Sequence, residues 1–168
     1  MSKRIRYWAH GAIIAALYAV LTHMQNLLLP GSATWAIQCR LSEMLCVLAL
    51  FTPAAIPGLT VGCLLFNITF SAALPLDFVL GTLATFLAAT SMWAMRRITV
   101  RNYPLPALLM PALFNALLVG WELSVYLGGA FLLNAVYVAL GELIVLLVFG
   151  SAFYWLIKKR NLDKRIFL

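Results

Sequence analysis

Charge is what this sequence has least of. Of its 168 residues only 10% are Asp, Glu, Lys or Arg, while 64% are hydrophobic, and the mean hydropathy is +0.99. Soluble domains carry about 25% charged residues. So little charge excludes a soluble globular protein and leaves an integral membrane protein with little mass outside the bilayer. Acids are scarcest: five of them against twelve Lys and Arg give a net charge of +7. Cysteine is scarce too. Cys39, Cys46 and Cys63 form no C-x-x-C pair and lie in apolar stretches. That pattern marks small packing residues rather than a redox or metal centre. The two histidines, His10 and His23, belong to no ligand-like cluster, so neither a metal site nor a catalytic pair is expected. No Gly-rich phosphate loop occurs, so the chain does not bind ATP by that route. Nothing in the sequence implies a cofactor. The basic-then-apolar N-terminus has the outline of a signal peptide, but its apolar run is long and no clear small-x-small cleavage site follows. It reads as a retained helix.

The charge that is present sits at the ends of apolar runs. Lys3, Arg4 and Arg6, then Arg96, Arg97 and Arg101, then Lys158, Lys159, Arg160, Lys164 and Arg165 form three clusters. This is a topology signal and not a nucleic-acid footprint. Breakers and charges cut six apolar segments: Tyr7–Leu28, Ala36–Phe51, Ile56–Ala73, Asp77–Met95, Leu105–Trp121 and Phe131–Ile157. A span needs about 20 residues, so the second and third are short, as suits segments that border a cavity. Six spans place every basic cluster, and both termini, on the cytoplasmic side. Trp8, Trp35, Trp93, Trp121 and Trp155 fall near segment ends, as interface belts do. With no linker and no convincing internal repeat, residues 1–168 read as a single transmembrane domain. The fold class is all-α, a six-helix integral membrane bundle.

Against this background the polar residues inside the segments are informative. Arg40 and Glu43 lie in the second segment, Asn67 in the third, and Asp77 opens the fourth. Asn115 and Glu122 lie in the fifth, Asn134 and Glu142 in the sixth. At 1.5 Å per residue, helices running in opposite directions place these groups in the same, outer half. Helical phase agrees: Asn115 and Glu122 are i,i+7, Asn134 and Glu142 are i,i+8, and Thr60, Cys63, Asn67 and Ser71 form a mildly polar stripe. An ionised residue at a helix centre costs roughly 2.5–3.5 kcal/mol on insertion scales. Arg40 and Glu43 can neutralise each other, which leaves about three acids over. Asp77 can serve as an N-cap, and Asp77 and Glu122 can be wetted at the surface. Glu142 is too deep for that. The asparagines can act as interhelical glue, and Trp121 and Tyr137 as belt and core residues or as stacking surfaces for a flat ligand. Together the set predicts an externally accessible, net-acidic pocket for a small cationic or hydrogen-bond-rich solute. A small membrane enzyme using Glu142 with His23, or a ligand-free structural subunit, are the competing readings.

The first segment, AHGAIIAALYAVLTH, is rich in small residues. Ala12 and Ala16 are four apart, as are Ala15 and Ala19, a spacing that lets another helix approach closely, whether from a partner or from within the bundle.

Four blocks carry a family resemblance: WAIQCRLSEMLCVLALFTPAAIPGLTVGCLLFNI, LDFVLGTLATFLAA, LFNALLVGWELS and LNAVYVALGELIVLLVFG. In order and over most of the chain, they resemble the QueT family. These are queuosine-precursor transporters, the substrate-binding S components of energy-coupling factor (ECF) transporters. The resemblance implies a six-helix S-component bundle in a prokaryotic plasma membrane, with a solute pocket near its outer face. It implies docking, through Ala12, Ala16 and also Ala15 and Ala19, on a T component served by two ATPase subunits. The implied solute is a 7-deazaguanine such as 7-aminomethyl-7-deazaguanine, or queuine; the alternative is a related S component for another vitamin or nucleobase. Its N1–H and amino group suit one carboxylate, its cationic aminomethyl group a second, and asparagine amides can read the rest.

Overall fold

The computed structural model describes residues 2–30, 32, 39–70 and 76–166. The interface residue Trp35, and Ala36 to Gln38 and Ser71 to Ala73 of the expected second and third segments, lie outside the described residues. Helix α1 (Lys3–Leu28) begins earlier than expected because Ser2 caps it, its hydroxyl accepting the Ile5 N–H at 3.3 Å. Helix α2 covers Ala55–Thr69, and α3 covers Asp77–Met95, as expected. The fifth segment is a short α4 (Leu105–Leu108) followed by α5 (Met110–Tyr126). It runs past Trp121, which puts Glu122 inside the helix instead of at its end. The sixth is continuous but not uniform: α6 (Phe131–Ile144), a π-helical stretch (Val145–Gly150) and α7 (Ser151–Lys159). A short α8 (Leu162–Ile166) follows. Among the described residues there is no β-strand, only the isolated Val100–Tyr103 bridge.

The second segment departs most from expectation. Its described part is a 3-10 helix of ten residues, Leu41–Leu50. Such helices rarely exceed three or four residues. Leu, Met, Ala and Glu are good α-formers, so tertiary packing and not propensity holds this form. The stretched geometry has two consequences. At about 2.0 Å per residue, ten residues reach about 20 Å, where an α-helix would reach about 15 Å. Three residues per turn also stack Glu43, Cys46 and Ala49 on one ridge. Leu45 through Leu50 are all buried, so this segment is the central strut of the bundle. It packs on α1, α2, α3 and the π-helical stretch, while α1, α2, α3, α5 and α6 pack in succession around it.

The bundle is inverted relative to a soluble protein. Leu17, Val20 and Met24 on α1, Phe78, Val79 and Phe86 on α3, and Leu132, Val136, Leu140 and Ile144 on α6 are exposed. Buried instead are Arg40, Glu43, Asn67, Asp77, Asn115, Glu122 and Glu142. An apolar exterior of this extent belongs in lipid. Among the described residues four helical stretches are long and apolar enough to cross a membrane: Lys3–Leu28, Asp77–Met95, Leu105–Tyr126 and Phe131–Lys159; Leu41–Leu50 and Ala55–Thr69 are shorter.

The six segments alternate in direction. At one end Gly11 meets the Ala54 carbonyl, Phe51 stacks on Tyr154 at 5.7 Å, and Tyr103 bonds Ser151 and packs on Trp155. The three basic clusters gather at this end. At the other end His23 lies 2.9 Å from Thr69, Gln25 bonds the Leu41 N–H, and Asn67 bonds Asp77. The polar cluster gathers there.

Lipid tails are as apolar as Leu, so close packing must hold the helices together. The α1–α2 seam depends on glycine. A Cβ on Gly58 would lie 2.7 Å from the Gly11 carbonyl oxygen, and one on Gly62 would lie 2.7 Å from Tyr18 Cβ and 2.8 Å from the Ala15 carbonyl oxygen. Ala15 is therefore buried in this seam, Ala12 and Ala16 are exposed, and Ala19 is half-buried. Gly62→Val is expected to destabilise the protein by about 1–3 kcal/mol through overpacking, read as a lower thermal midpoint in detergent. Gly150→Ala, whose Cβ would meet Val47 at an ordinary 3.5 Å, should leave the midpoint unchanged.

Candidate functional site

The polar cluster is built around Arg40. This residue precedes the 3-10 helix with extended backbone (φ −77°, ψ 103°) and is only 2% exposed. Its guanidinium does not pair with Glu43, as the i,i+3 spacing suggested. The extended backbone carries it toward α3, where Nη2 lies 3.1 Å from Asp77 Oδ2 and 3.5 Å from Oδ1. The guanidinium also lies 5.8 Å from the centre of the Phe66 ring, within cation–π range. Asp77 is consequently not an N-cap. Leu76 holds that position without a side-chain bond, and Asp77, the first residue of α3, adds the favourable field of the helix N-terminus to its ion pair. Gly81 makes room for it, since a Cβ there would lie 2.7 Å from Asp77 Oδ1.

Glu43 is satisfied by α1 and by its own ridge. The Tyr18 hydroxyl donates to Oε1, and the Cys46 thiol, one 3-10 turn on, donates to Oε2 at 3.0 Å. Cys46 and Cys63 are buried, and Cys39 is half-buried. Asn67 donates to the Asp77 carbonyl at 2.9 Å, joining the end of α2 to the start of α3. Its Oδ1 has no partner among the described residues.

Several positioning residues were not anticipated. Gln25 accepts the Leu41 N–H at 2.7 Å and donates to the Cys39 carbonyl and to Ser32 Oγ. It thus clamps the chain on its way into the 3-10 helix. Thr22 donates to the Tyr18 carbonyl at 2.8 Å and lies 2.7 Å from the Ser42 hydroxyl. Tyr18, Thr22 and Gln25 are spaced i, i+4, i+7, a polar stripe on one face of α1 that was present in the sequence to be read.

Glu122 and Glu142 are different in kind. Both are 0% exposed, and neither carboxylate oxygen of either residue has a partner among the described residues. Glu122 lies within electrostatic reach of Asp77 and Arg40, and Glu142 within reach of Glu43 and Arg40. The cluster thus holds four acids and one cation. A buried carboxylate without hydrogen bonds costs several kcal/mol. Buried polar groups are otherwise nearly always paired. Two such carboxylates at one end of the bundle leave four acceptor oxygens able to take hydrogen-bond donors.

The remaining candidates divide. Asn115 is buried on the Glu122 face of α5. Asn134 is engaged in the α5–α6 turn, donating to Ser124 Oγ at 3.0 Å and to the Gly128 carbonyl at 3.1 Å. Tyr137 is half-buried. Trp121 is 48% exposed on the outer surface of α5. His23 is exposed and packs edge-on against Phe66; among the described residues no bond joins it to Glu142. No group of three or more metal-ligating side chains occurs among the described residues.

Fold and site together define a multi-pass membrane protein, apolar outside, with a buried acidic cluster at one end. The family model described as QueT transporter matches residues 8–159, and the chain belongs to that family. Neither curated proteins nor solved structures gave a match. Asp77→Leu, which removes the carboxylate facing buried Arg40, is expected to destabilise the protein by about 3–5 kcal/mol, measured by unfolding in mixed detergent micelles. Arg40→Met with Asp77→Leu should recover most of that loss, because the buried charge goes as well.

Proposed function

We propose that this protein is the substrate-binding S component of an ECF transporter and imports a queuosine precursor, 7-aminomethyl-7-deazaguanine or a related 7-deazaguanine. The observation that carries the solute class is the pair of fully buried, unpartnered carboxylates, Glu122 and Glu142, within a family of transporters. A 7-deazaguanine with an aminomethyl group brings what such a pair lacks: a neutral N1–H and amino edge, and an ammonium group. Glu43, Asp77, Asn67 and Asn115 complete the pocket wall, and Asn134 and Tyr137 border it; Trp121, on the outer surface of α5, lies outside it.

In this reading all six segments cross the plasma membrane of a prokaryote. The gathered basic clusters, and both termini with them, face the cytoplasm by the positive-inside rule. The acidic end then faces outward, where solute arrives. A ten-residue strut fits this topology because 3-10 geometry lengthens it and the surrounding helices shield it from lipid.

Energy must come from elsewhere, and a T component with two ATPase subunits supplies it. The docking face is α1. Ala12 lines an apolar groove of about 170 Å³ between α1 and α2, together with Trp8, Pro57 and Val61. Ala16, exposed one turn further on, continues the small-residue face on which a partner helix packs closely.

The deciding experiment is mass spectrometry of ligand co-purifying with the protein, followed by calorimetry. A 7-deazaguanine should co-purify and rebind tightly without ATP; absence of binding at micromolar concentration for several 7-deazaguanines would remove this solute class. Ala12→Trp is expected to leave solute affinity unchanged and to abolish uptake in cells carrying the energising subunits.

A further inference from the structure

Glu122 and Glu142 share burial and lack of partners, but their surroundings differ. Glu142 lies within electrostatic reach of a second carboxylate, Glu43, and of Arg40, and its helix runs into the π-helical stretch that packs on the 3-10 helix carrying Glu43. Among the described residues Glu43 is hydrogen-bonded only by neutral donors, the Tyr18 hydroxyl and the Cys46 thiol, which satisfy its lone pairs without offsetting its charge. Glu122 lies within electrostatic reach of Asp77 and of Arg40, on α5, which packs on α3, and Asp77 is already paired with Arg40 at 3.1 Å. Both sides thus feel Arg40, but its close contact is with Asp77: one side holds two carboxylates with no cation in contact among the described residues, and the other a single carboxylate beside an ion pair. The Asn67 Oδ1, a neutral acceptor without a described partner, lies on the Asp77 side, because its amide nitrogen bonds the Asp77 carbonyl at 2.9 Å.

These two environments suit different groups. Two carboxylates in a dry space repel each other, and a cation between them turns that repulsion into attraction. An ammonium group also brings three donors, enough for both acids. A neutral N–H and amino edge relieves no charge. It needs two acceptor oxygens side by side, as one carboxylate has, with an amide oxygen near.

We propose that Glu142 and Glu43 together take the ammonium group of the solute, while Glu122, assisted by Asn67, takes its neutral donor edge. The assignment rests on the 7-deazaguanine reading above and adds the direction in which the solute lies. The ring spans the cluster past the Arg40–Asp77 pair, with its cationic substituent toward α6 and the 3-10 helix.

The test is a cycle of ligands and variants, read by calorimetry on the purified full chain. The ligands are 7-aminomethyl-7-deazaguanine, its uncharged 7-hydroxymethyl counterpart of the same shape, and the aminomethyl compound without its 2-amino group. The wild type should favour the amine over the alcohol by 10-fold or more and should lose affinity when the 2-amino group is deleted. In Glu142→Gln the amine preference should shrink about tenfold while sensitivity to the 2-amino group stays. In Glu122→Gln the pattern should reverse. If Glu142→Gln keeps the full amine preference, the assignment is overturned while the solute class stands. If the wild type binds the compounds without preferring the amine, the assignment also falls. If the wild type binds none of the three, the solute class falls and the assignment with it. Should Glu142→Gln bind nothing, Glu43→Gln takes its place with the same expected loss of preference, and a preserved preference there overturns the assignment.

Discussion

The ion pair between Arg40 and Asp77 organises this structure. It joins the residue that leads into the central strut to the first turn of α3, and both partners are buried. A buried pair is weak evidence for stability, since desolvation consumes much of the Coulombic gain. Its value here lies in geometry. By drawing Arg40 toward α3, it denies that cation to Glu43, which turns to Tyr18 and Cys46 instead. It also occupies Asp77. The acids left without a hydrogen-bond partner among the described residues are Glu122 and Glu142. A different partner for Arg40 would give a different distribution of unpaired charge.

The irregular helices serve the same end. The 3-10 helix and the π-helical stretch pack against each other. One is narrow and elongated and the other is wide and shortened. Glu43 belongs to the first, and Glu142 sits one turn before the second. π-helical turns and long 3-10 stretches are uncommon and tend to occur where function requires an otherwise unfavourable placement. Here they bring two carboxylates from different segments toward one space. The surrounding α1, α2, α3, α5 and α6 are regular, and the cost is confined to the strut and its neighbour.

Much of this was legible in the sequence. The all-helical apolar character, the limits of α3 and the separation of basic clusters from buried acids follow from composition, periodicity and the placement of charge. What failed did so for identifiable reasons. Arg40 and Glu43 look like a pair because i,i+3 residues are neighbours on a helix, but Arg40 lies just outside the helix, where backbone direction and not spacing decides. Asp77 looks like a cap because acids favour helix starts; a long-range cation outweighs that local preference. Glu122 looks wetted because the apolar pattern ends at Trp121, whereas the helix runs five residues further, to Tyr126; element boundaries are the least certain feature of any sequence reading. The 3-10 form of Leu41–Leu50 was invisible, since its residues favour an α-helix and only the packing around them says otherwise.

The α1 helix illustrates how one motif can serve two surfaces. Its small residues fall at four-residue spacing in two registers, and the sequence alone cannot separate them. In the fold, Ala15 meets Gly62 in the internal seam, and Ala12 and Ala16 remain exposed. The polar stripe of Tyr18, Thr22 and Gln25 continues the buried face toward the acidic end, where it holds Glu43 and the entry to the strut. One helix thus carries a bare small-residue face on the outside and the supports of the site on the inside. Any tilt or rotation of α1 imposed by a partner at the exposed face would be transmitted to Glu43 through Tyr18 and to Leu41 through Gln25. These hydrogen bonds are buried or part-buried, and close-packed interiors shift as units instead of deforming continuously.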